Sequence, residues 1–168
     1  MAPVTGVSDV GRPLRFGIVT CSDTRTEAED TAGAALKALI AARGWEVVAY
    51  VICPDEESCI AETLIEMADS LNADIILTCG GTGFSSRDIT PEVTERVAGR
   101  RAPGIAEHIR AQSLAITPRA VLSRGTAGLR GTTLIVNLPG SEKAARESFG
   151  FVVDQLEHAV EMMAGGGH

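Results

Sequence analysis

The sequence is poor in aromatic and basic residues. It contains only four Phe, one Trp and one Tyr among 168 residues, too few for the aromatic platforms on which single-stranded nucleic acids stack. Asp and Glu together number 22 and Lys and Arg 15, so the formal net charge is −7. This balance argues against a nucleic-acid partner and against binding to an anionic membrane surface.

Several chemical signatures are also missing. The cysteines at positions 21, 53, 59 and 79 form no CxxC pair, which argues against a zinc site or a thioredoxin-like redox centre. Cys21, Cys53 and Cys79 lie in or beside apolar runs, so we expect buried thiols in a reducing compartment. No two of the three histidines have metal-ligand spacing, and no GxSxG elbow supports a serine hydrolase.

Targeting segments are not apparent either. The opening "MAPVTGVSDVGRP" has no basic start followed by an apolar stretch, and no apolar run approaches the length of a membrane span. We therefore expect a cytoplasmic protein that does not bind membranes. The composition predicts a flexible leader over residues 1–13, a single domain over 14–163 and a disordered tail over 164–168.

Strand and helix patterns alternate along the chain. Apolar, β-branched runs predict strands at 16–20, 45–53, 73–79 and 132–138, and helical periodicity predicts helices between and after them. Two short strands are predicted around Arg124-Gly125, and a helix capped by Thr90 is predicted to begin at Thr90-Pro91. Strands without polar alternation are typical of a parallel sheet that is covered on both faces. The sequence thus predicts an α/β domain with a doubly wound, mostly parallel sheet and helices on both faces.

Four polar or glycine-rich segments directly follow the predicted strands. They are "TCSD" at 20–23, "CPDE" at 53–56, "GGTG" at 80–83 and "LPGS" at 138–141. Because the carboxyl ends of parallel strands meet at one edge of the sheet, we expect the four segments to form one ligand site.

The glycine-rich segment suits an anion but is not specific by itself. Glycines let a phosphate approach backbone N–H groups, although a tight turn after a strand requires the same residues. The segment is not a P-loop, since no Lys follows the glycines, and it is not a dinucleotide fingerprint, since Ser86 stands where the third glycine belongs.

Two carboxylates, Asp55 and Asp88, lie beside this segment in the predicted fold. Each also suits a capping role, Asp55 for the second helix and Asp88 for the third. Magnesium prefers one or two carboxylates together with phosphate oxygens and water, so the pair favours phosphoryl or nucleotidyl transfer. Ser141 is predicted to cap the last helix, whose N-terminus suits a second anion. Further polar groups, which are equally consistent with an ordinary loop, come from Thr20, Ser22 and Asp23.

The run "GGTGFSSRDITPE" closely resembles the GGTG-x3-RD-x-TPE segment of molybdenum cofactor biosynthesis proteins of the Mog/MoaB type. That family includes bacterial molybdopterin adenylyltransferase and the N-terminal domain of gephyrin. The segments "TCSD", "EDTAG", "CPDE" and "LSRGTAGLRGTTLIVNLPGS" resemble other parts of the family, and the resemblance extends from about residue 15 to about residue 160.

The resemblance implies an enzyme that transfers AMP from ATP to molybdopterin with magnesium and releases pyrophosphate. It also implies the same α/β fold, a homotrimer, and hand-over of the product to a molybdate-inserting enzyme. The family's catalytic, magnesium-binding aspartates fall on Asp55 and Asp88, and a further carboxylate of its site falls on Asp30. Its phosphate-binding loop falls on Gly80, Gly81, Thr82 and Gly83, and its pterin-binding loop falls on Pro139, Gly140 and Ser141. In the mechanism that we expect, Arg87 offsets phosphate charge, although the Arg87-Asp88 pair is also consistent with a surface ion pair.

Two alternatives stay open at this point. One is a non-catalytic, trimeric MoaB-like protein that binds the pterin or a protein partner without turning over nucleotide. The pair Asp55 and Asp88 argues against it, because a scaffold needs neither carboxylate. The other is an enzyme that transfers a nucleotide to a different acceptor.

Overall fold

The computed structural model describes residues 10–166 and contains one six-stranded sheet. Its strand order is β2-β1-β3-β6-β5-β4. The first four strands in this order are parallel, whereas β5 runs antiparallel to β6 and β4 antiparallel to β5. The prediction of a mostly parallel α/β sheet is therefore confirmed. The strands are β1 (Arg15–Cys21), β2 (Glu46–Cys53), β3 (Ile75–Cys79), β4 (Arg100–Arg101), β5 (Ala127–Arg130) and β6 (Thr133–Leu138).

Helices cover both faces of this sheet, as predicted. They are α1 (Thr31–Ala42), α2 (Glu57–Ile65), which continues as a π-helical turn (Glu66–Ser70), α3 (Thr90–Val97), α4 (Pro103–Leu114) and α5 (Glu142–Met163). Short 3-10 turns occur at Glu27–Glu29 and Pro118–Leu122. The first apolar core lies between the sheet and helices α1, α4 and α5, and the second lies between the sheet and helices α2 and α3.

Residues of β1 enter both cores. In β1, Phe16 and Ile18 point toward α1 and α5, whereas Val19 and Cys21 point toward α2 and α3. The Phe16 ring stacks on Trp45 at 5.3 Å between ring centroids. Because both faces of β1, β3 and β6 are buried, these strands read as continuous apolar runs. Cys21, Cys53 and Cys79 are buried, as expected from the sequence.

The four parallel strands end at the same level, along what we call the ligand edge of the sheet. Cys21 at the end of β1 pairs in register with Cys53 at the end of β2. Cys79 at the end of β3 pairs with Thr20 on one side and with Leu138 on the other. The chain order reverses between β1 and β3, which is where open α/β sheets bind ligands. The predicted convergence of the four polar segments on one edge is confirmed.

Some local predictions were wrong. Residues 118–122 form a 3-10 turn rather than a strand, because Pro118 begins it and the side chain of Thr117 accepts a hydrogen bond from the N–H of Arg119. Of the two short strands predicted around Arg124-Gly125, only the one after this pair forms, as β5. Thr90 is the first residue of α3 rather than its N-cap, and its side chain is fully buried.

The capping roles considered for the two carboxylates are also absent. Glu56 and Ile89 hold the N-cap positions of α2 and α3, and neither helix has a side-chain cap hydrogen bond. Ser141 does cap α5, since its Oγ accepts a hydrogen bond from the N–H of Ala144 at 3.3 Å. Asp55 and Asp88 thus lie at the ligand edge without serving a helix terminus.

Within residues 10–166, none of the helices is both long enough and apolar enough to cross a bilayer. Residues 1–9 of the predicted leader and residues 167–168 of the predicted tail lie outside the described part of the chain. The guanidinium of Arg12, which falls in the predicted leader, donates two hydrogen bonds to Asp74, at 2.8 and 2.9 Å.

Candidate functional site

The glycine loop after β3 begins with two residues that need glycine for structural reasons. Gly80 has φ +93° and Gly81 has φ +70°, in the left-handed region that side chains rarely adopt. A Cβ on Gly80 would lie 2.6 Å from the carbonyl oxygen of Cys21, and one on Gly81 would lie 2.1 Å from Oγ1 of Thr90. The N–H of Gly80 donates to the carbonyl of Leu138 at 3.1 Å. An anion cradle in this loop therefore begins at Gly81 rather than at Gly80.

The loop after β6 touches the glycine loop. A Cβ on Gly140 would lie 3.3 Å from the Cα of Gly80, so the two backbones are in direct contact. Pro139 and Gly140 are half-buried, whereas Ser141 is exposed at the start of α5. The structure therefore brings the predicted phosphate loop and the predicted pterin loop side by side.

Asp55 lies beside the glycine loop in an environment that disfavours its ionised form. Its Oδ1 is buried and has no hydrogen-bond partner among residues 10–166, and it would lie 3.3 Å from a Cβ on Gly81. Burial raises the pKa of Asp55, and the negative charges of Asp23 and Asp88 raise it further. A cation at this position would relieve both causes, since it would replace lost hydration and offset the neighbouring carboxylates.

Asp88 lies at the far end of the same loop and is half-buried. Its Oδ2 accepts a hydrogen bond from the N–H of Ser85 at 2.9 Å and would lie 2.9 Å from a Cβ on Gly83. The third glycine is therefore needed for close approach of the carboxylate. Asp88 is near enough to Asp55 for its charge to raise the pKa of Asp55.

Asp23 and Arg87 form an exposed ion pair between the first and third polar segments. Nε and Nη2 of Arg87 lie 3.0 and 2.8 Å from the two carboxylate oxygens of Asp23. These hydrogen bonds lower the pKa of Asp23, and the N–H of Asp55 also donates to Asp23, at 2.9 Å. Arg87 thus neutralises Asp23 and, through it, is connected to the segment that carries Asp55.

Thr20 and Asp30 form a buried support beneath this edge. Asp30 is 1% exposed and accepts hydrogen bonds from the Thr20 hydroxyl at 2.6 Å, from the Gly33 N–H at 3.1 Å and from the Tyr50 hydroxyl. Burial alone raises the pKa of Asp30, but these hydrogen bonds and the charge of Arg25 outweigh it, so that the pKa is lowered. Asp30 caps α1, and both its oxygens are used by protein groups.

Ser22 is likewise used within the protein. Its Oγ accepts hydrogen bonds from the N–H groups of Thr24 at 3.3 Å and Arg25 at 3.0 Å, which shapes the turn after β1. Its own N–H donates to the carbonyl of Cys53 at 2.8 Å. Of the polar groups predicted after β1, Asp23 is the exposed one.

The donor set fits a magnesium ion better than a transition metal. Residues 10–166 contain no cluster of three or more His, Cys, Asp or Glu side chains that could hold a metal. Magnesium needs only one or two carboxylates when substrate oxygens and water complete its shell. The unpartnered Oδ1 of Asp55, close to Asp88, is the feature of the structure that fits such an ion.

A cavity of about 300 Å³ opens next to the two loops. Thr82 and Gly83 line one side and Pro139 another, and apolar side chains such as Ile109 and Leu122 form much of the wall. This volume is at the lower end of the range for small-molecule sites. The cavity therefore adds an apolar compartment to a polar, anion-accepting edge.

Comparison with known proteins assigns the family. The pattern of the family described as "Probable molybdopterin binding domain" matches residues 17–158, which is most of the chain. The chain belongs to that family. The resemblance of the "GGTGFSSRDITPE" run to the Mog/MoaB proteins is thereby confirmed.

Three individual proteins show how far this similarity extends. The chain is 40% identical to the molybdenum cofactor synthesis protein cinnamon of Drosophila melanogaster over 89% of its own length, but it spans only 26% of that protein. It is 36% identical to the molybdopterin adenylyltransferase of Helicobacter pylori (strain ATCC 700392 / 26695), covering 90% of this chain and 89% of the other. The crystal structure of the molybdopterin biosynthesis enzyme MoaB from Thermus thermophilus superimposes with a TM-score of 0.83 at 46% identity, covering 90% and 97% of the two chains.

Two arginines at this edge of the molybdopterin-binding fold were not predicted from the sequence. Nη1 of Arg25 donates to the carbonyl of Gly140 at 2.9 Å and lies 3.9 Å from Asp30. The Arg124 side chain donates to the carbonyls of Gly83 and Asp88. Both act on backbone carbonyls far away in the sequence, and such contacts leave no local spacing to recognise.

Proposed function

We propose that this member of the molybdopterin-binding family is a molybdopterin adenylyltransferase, which transfers AMP from ATP to molybdopterin and releases pyrophosphate. The observation that carries the proposal is the Asp55–Asp88 pair beside the glycine loop, in which a buried oxygen of Asp55 has no hydrogen-bond partner among the described residues. The name of the Helicobacter pylori relative, which aligns over nearly its full length, supports the same activity.

The backbone of the glycine loop binds the triphosphate in this proposal. The N–H groups of Gly81, Thr82 and Gly83 follow directly after β3 at the ligand edge, whereas Gly80 serves to hold the loop against β6. Backbone amides in left-handed turns form concave sites for anions. Positioning of this kind is the main contribution a protein makes to nucleotidyl transfer.

Asp55 and Asp88 would hold the magnesium ion, which offsets the negative charge of the phosphates. The raised pKa of Asp55 is consistent with this role, because burial and the charges of Asp23 and Asp88 outweigh the nearby positive charge of Arg87. Arg87 already pairs with Asp23, so its main role in this proposal is to hold the carboxylate cluster in shape. Its positive charge also offsets part of the negative charge of the phosphates.

The pterin lies on the Pro139 side in this proposal, where the apolar cavity opens. Gly140 and Ser141 lead into α5, whose first-turn N–H groups favour an anionic group of the substrate. The terminal phosphate oxygen of molybdopterin would attack the α-phosphorus of ATP. The new bond joins this oxygen to the α-phosphorus, and the bond between the α-phosphorus and the bridging oxygen breaks as pyrophosphate leaves.

The decisive experiment is a pyrophosphate-release assay with the purified protein, ATP, magnesium and molybdopterin. The proposal expects one pyrophosphate and one adenylylated pterin per turnover, and no release when molybdopterin is omitted. Binding of molybdopterin without pyrophosphate would instead identify the non-catalytic, MoaB-like alternative. Pyrophosphate that forms only with another acceptor would identify a different nucleotidyltransferase.

We further propose that the protein works as a cytoplasmic homotrimer and passes its product to a molybdate-inserting enzyme. The hand-over follows from the chemistry of the proposed product. An adenylylated pterin carries a bond whose cleavage can drive the next reaction, and that reaction must consume it.

A further inference from the structure

Arg124 contacts both ends of the loop that carries Asp88. Its Nε donates to the carbonyl of Gly83 at 2.8 Å, and its Nη2 donates to the carbonyl of Asp88 at 2.6 Å. Its backbone N–H donates to the carbonyl of Thr82 at 2.9 Å. A single residue thus fixes the start and the end of the segment 83–88, to which we refer as the carboxylate loop.

The third nitrogen of the guanidinium is also engaged. Nη1 of Arg124 forms an ion pair with Glu92, which lies in the first turn of α3. All three side-chain nitrogens therefore have partners on the carboxylate loop or on the helix that follows it. This arrangement assigns Arg124 to the protein scaffold rather than to direct contact with phosphate.

Besides Arg124, the exposed ion pair between Arg87 and Asp23 ties the carboxylate loop to the segment after β1. Residues 84–87 are exposed to solvent, and Phe84 is 70% exposed. Inside the loop, the N–H of Asp88 donates to the Ser85 carbonyl at 3.0 Å, and the N–H of Ser85 donates to the Asp88 carboxylate at 2.9 Å. These bonds give the loop its internal shape, but they do not fix its position relative to the sheet.

The backbone on either side of Arg124 is held in place by hydrogen bonds to β6 and α4. The N–H of Thr126 donates to Oδ1 of Asn137 at 3.1 Å, and the N–H of Asn137 donates to the Thr126 carbonyl at 3.0 Å. From α4, Arg110 donates to the carbonyls of Ser123 at 3.2 Å and Gly125 at 3.0 Å. The segment 123–126 is therefore tied to β6 and to α4, and it gives Arg124 a rigid base.

We propose that Arg124 is a positioning residue for the proposed adenylyl transfer, acting by holding the Asp88 carboxylate at the place where the magnesium–ATP complex binds. The structural part of this inference rests on the observed contacts of Arg124. The catalytic part rests on the proposed function. A lysine cannot replace it fully, because one ammonium group cannot reach three acceptors that a planar guanidinium contacts together.

The test compares Arg124→Gln and Arg124→Lys with the control Arg101→Gln, which removes an arginine from a surface ion pair with Glu95. We expect Arg124→Gln to lower kcat about ten- to a hundredfold, the scale for a small misplacement of a catalytic group, with the KM for molybdopterin nearly unchanged. The magnesium concentration for half-maximal activity should rise. The kcat of Arg124→Lys should fall between that of Arg124→Gln and that of the parent, and the control Arg101→Gln should match the parent.

A double-mutant cycle separates positioning of Asp88 from a general structural effect. If Arg124 acts through Asp88, Arg124→Gln should cause little further loss of kcat in an Asp88→Asn background. A loss of the same factor in both backgrounds would overturn the proposal. So would an unchanged kcat for Arg124→Gln.

Two measurements without turnover distinguish failure of this inference from failure of the proposed function. We expect hydrogen exchange at the Ser85 amide to become at least about tenfold faster in Arg124→Gln, because the carboxylate loop is released to open locally. Affinity for Mn²⁺ alone, used as a probe for magnesium, should fall in the same variant. A parent protein that releases no pyrophosphate would refute the function, whereas unchanged exchange and Mn²⁺ affinity would refute the role of Arg124.

Discussion

At the scale of single residues, the ligand edge gathers like charges that a protein core would avoid. Asp23, Asp55 and Asp88 lie close together, and among the described residues only the Asp23 carboxylate forms an ion pair with an arginine, namely Arg87. Burial and the two neighbouring carboxylates raise the pKa of Asp55. Perturbed pKa values of this kind cluster at functional sites.

Asp55→Asn should make the protein more stable and less active. The folded state holds the Asp55 proton more tightly than the unfolded chain, so the free energy of unfolding falls as pH rises from the ordinary pKa of 3.8 through the raised folded value. The ionised side chain therefore costs stability at neutral pH. We expect the variant to raise Tm by about 1–3 °C at pH 7, measured by calorimetry, while pyrophosphate release falls at least about tenfold.

The pH dependence provides the check on this reasoning. The Tm difference between Asp55→Asn and the parent should vanish below about pH 3.8, where Asp55 is protonated in the parent as well. The exposed neighbour Glu56, changed to Gln, serves as the matched control and should leave Tm unchanged. A lower Tm for Asp55→Asn at pH 7 would contradict the assigned cause.

Asp88→Ala should keep the fold and lose activity. The side chain is half-buried, and the hydrogen bond it accepts within residues 10–166 comes from Ser85 of the same loop, so the core is not disturbed. We expect kcat to fall at least about a hundredfold, the scale for removing a charge-stabilising group, with the far-UV circular dichroism unchanged. A variant that adenylylates molybdopterin at the parent rate would refute the assignment.

The sequence predicted which residues lie at the ligand edge, but it did not predict which residues hold them in position. Asp55, Asp88 and the glycines are recognisable because they follow strand ends, and the topology alone brings strand ends together. Arg25 and Arg124 could not be recognised, because each binds carbonyl groups of a distant segment. A backbone carbonyl is present at every residue and therefore carries no sequence signal.

At the scale of elements, the site depends on two loops packed backbone to backbone. Gly80 and Gly140 meet where β3 and β6 end, and Gly80 also lies against the carbonyl of Cys21 at the end of β1. Three neighbouring strands of the ligand edge, β1, β3 and β6, thus meet at one contact point. A side chain at this point would push the phosphate loop away from both neighbours.

Gly80→Ala should therefore cost more stability than Gly131→Ala. Both glycines have positive φ, +93° and +55°, so each substitution has a backbone cost of about 1–2 kcal/mol. A Cβ at Gly131 meets open space, whereas one at Gly80 would lie 2.6 Å from the Cys21 carbonyl, which adds at least about 1 kcal/mol of overpacking. Urea unfolding of the two variants measures the difference, and equal losses would show that the contact yields without cost.

Element prediction from sequence was accurate where hydrophobic periodicity was strong. The four parallel strands and helices α1, α4 and α5 follow apolar patterns that their burial on one or two faces imposes. It was wrong at 118–122, where Val121 and Leu122 read as a strand but lie in a 3-10 turn with both side chains largely exposed. Short apolar pairs have no period, so Pro118 decides the local structure there.

At the scale of the whole molecule, the homotrimer is the prediction that bears most on function. Analytical ultracentrifugation should give a mass three times that of the 17.5 kDa chain at micromolar concentration. The relevant control is the same measurement across a hundredfold dilution, because a specific assembly keeps its stoichiometry until the concentration approaches its dissociation constant. A single species of 17.5 kDa throughout would contradict the trimer.

Helix α5 has a consequence for how this fold can be extended. It starts at the ligand edge with Ser141 and runs back along the sheet, since Asp154 pairs with Arg43 and Glu157 accepts from Trp45, both of which lie just before β2 begins. Residues 10–14 precede β1 at that same end of the sheet. Both ends of the described part of the chain therefore lie at the end of the sheet opposite the ligand edge. A longer polypeptide that contains residues 10–166 would thus enter and leave this domain on the side away from the proposed substrate loops.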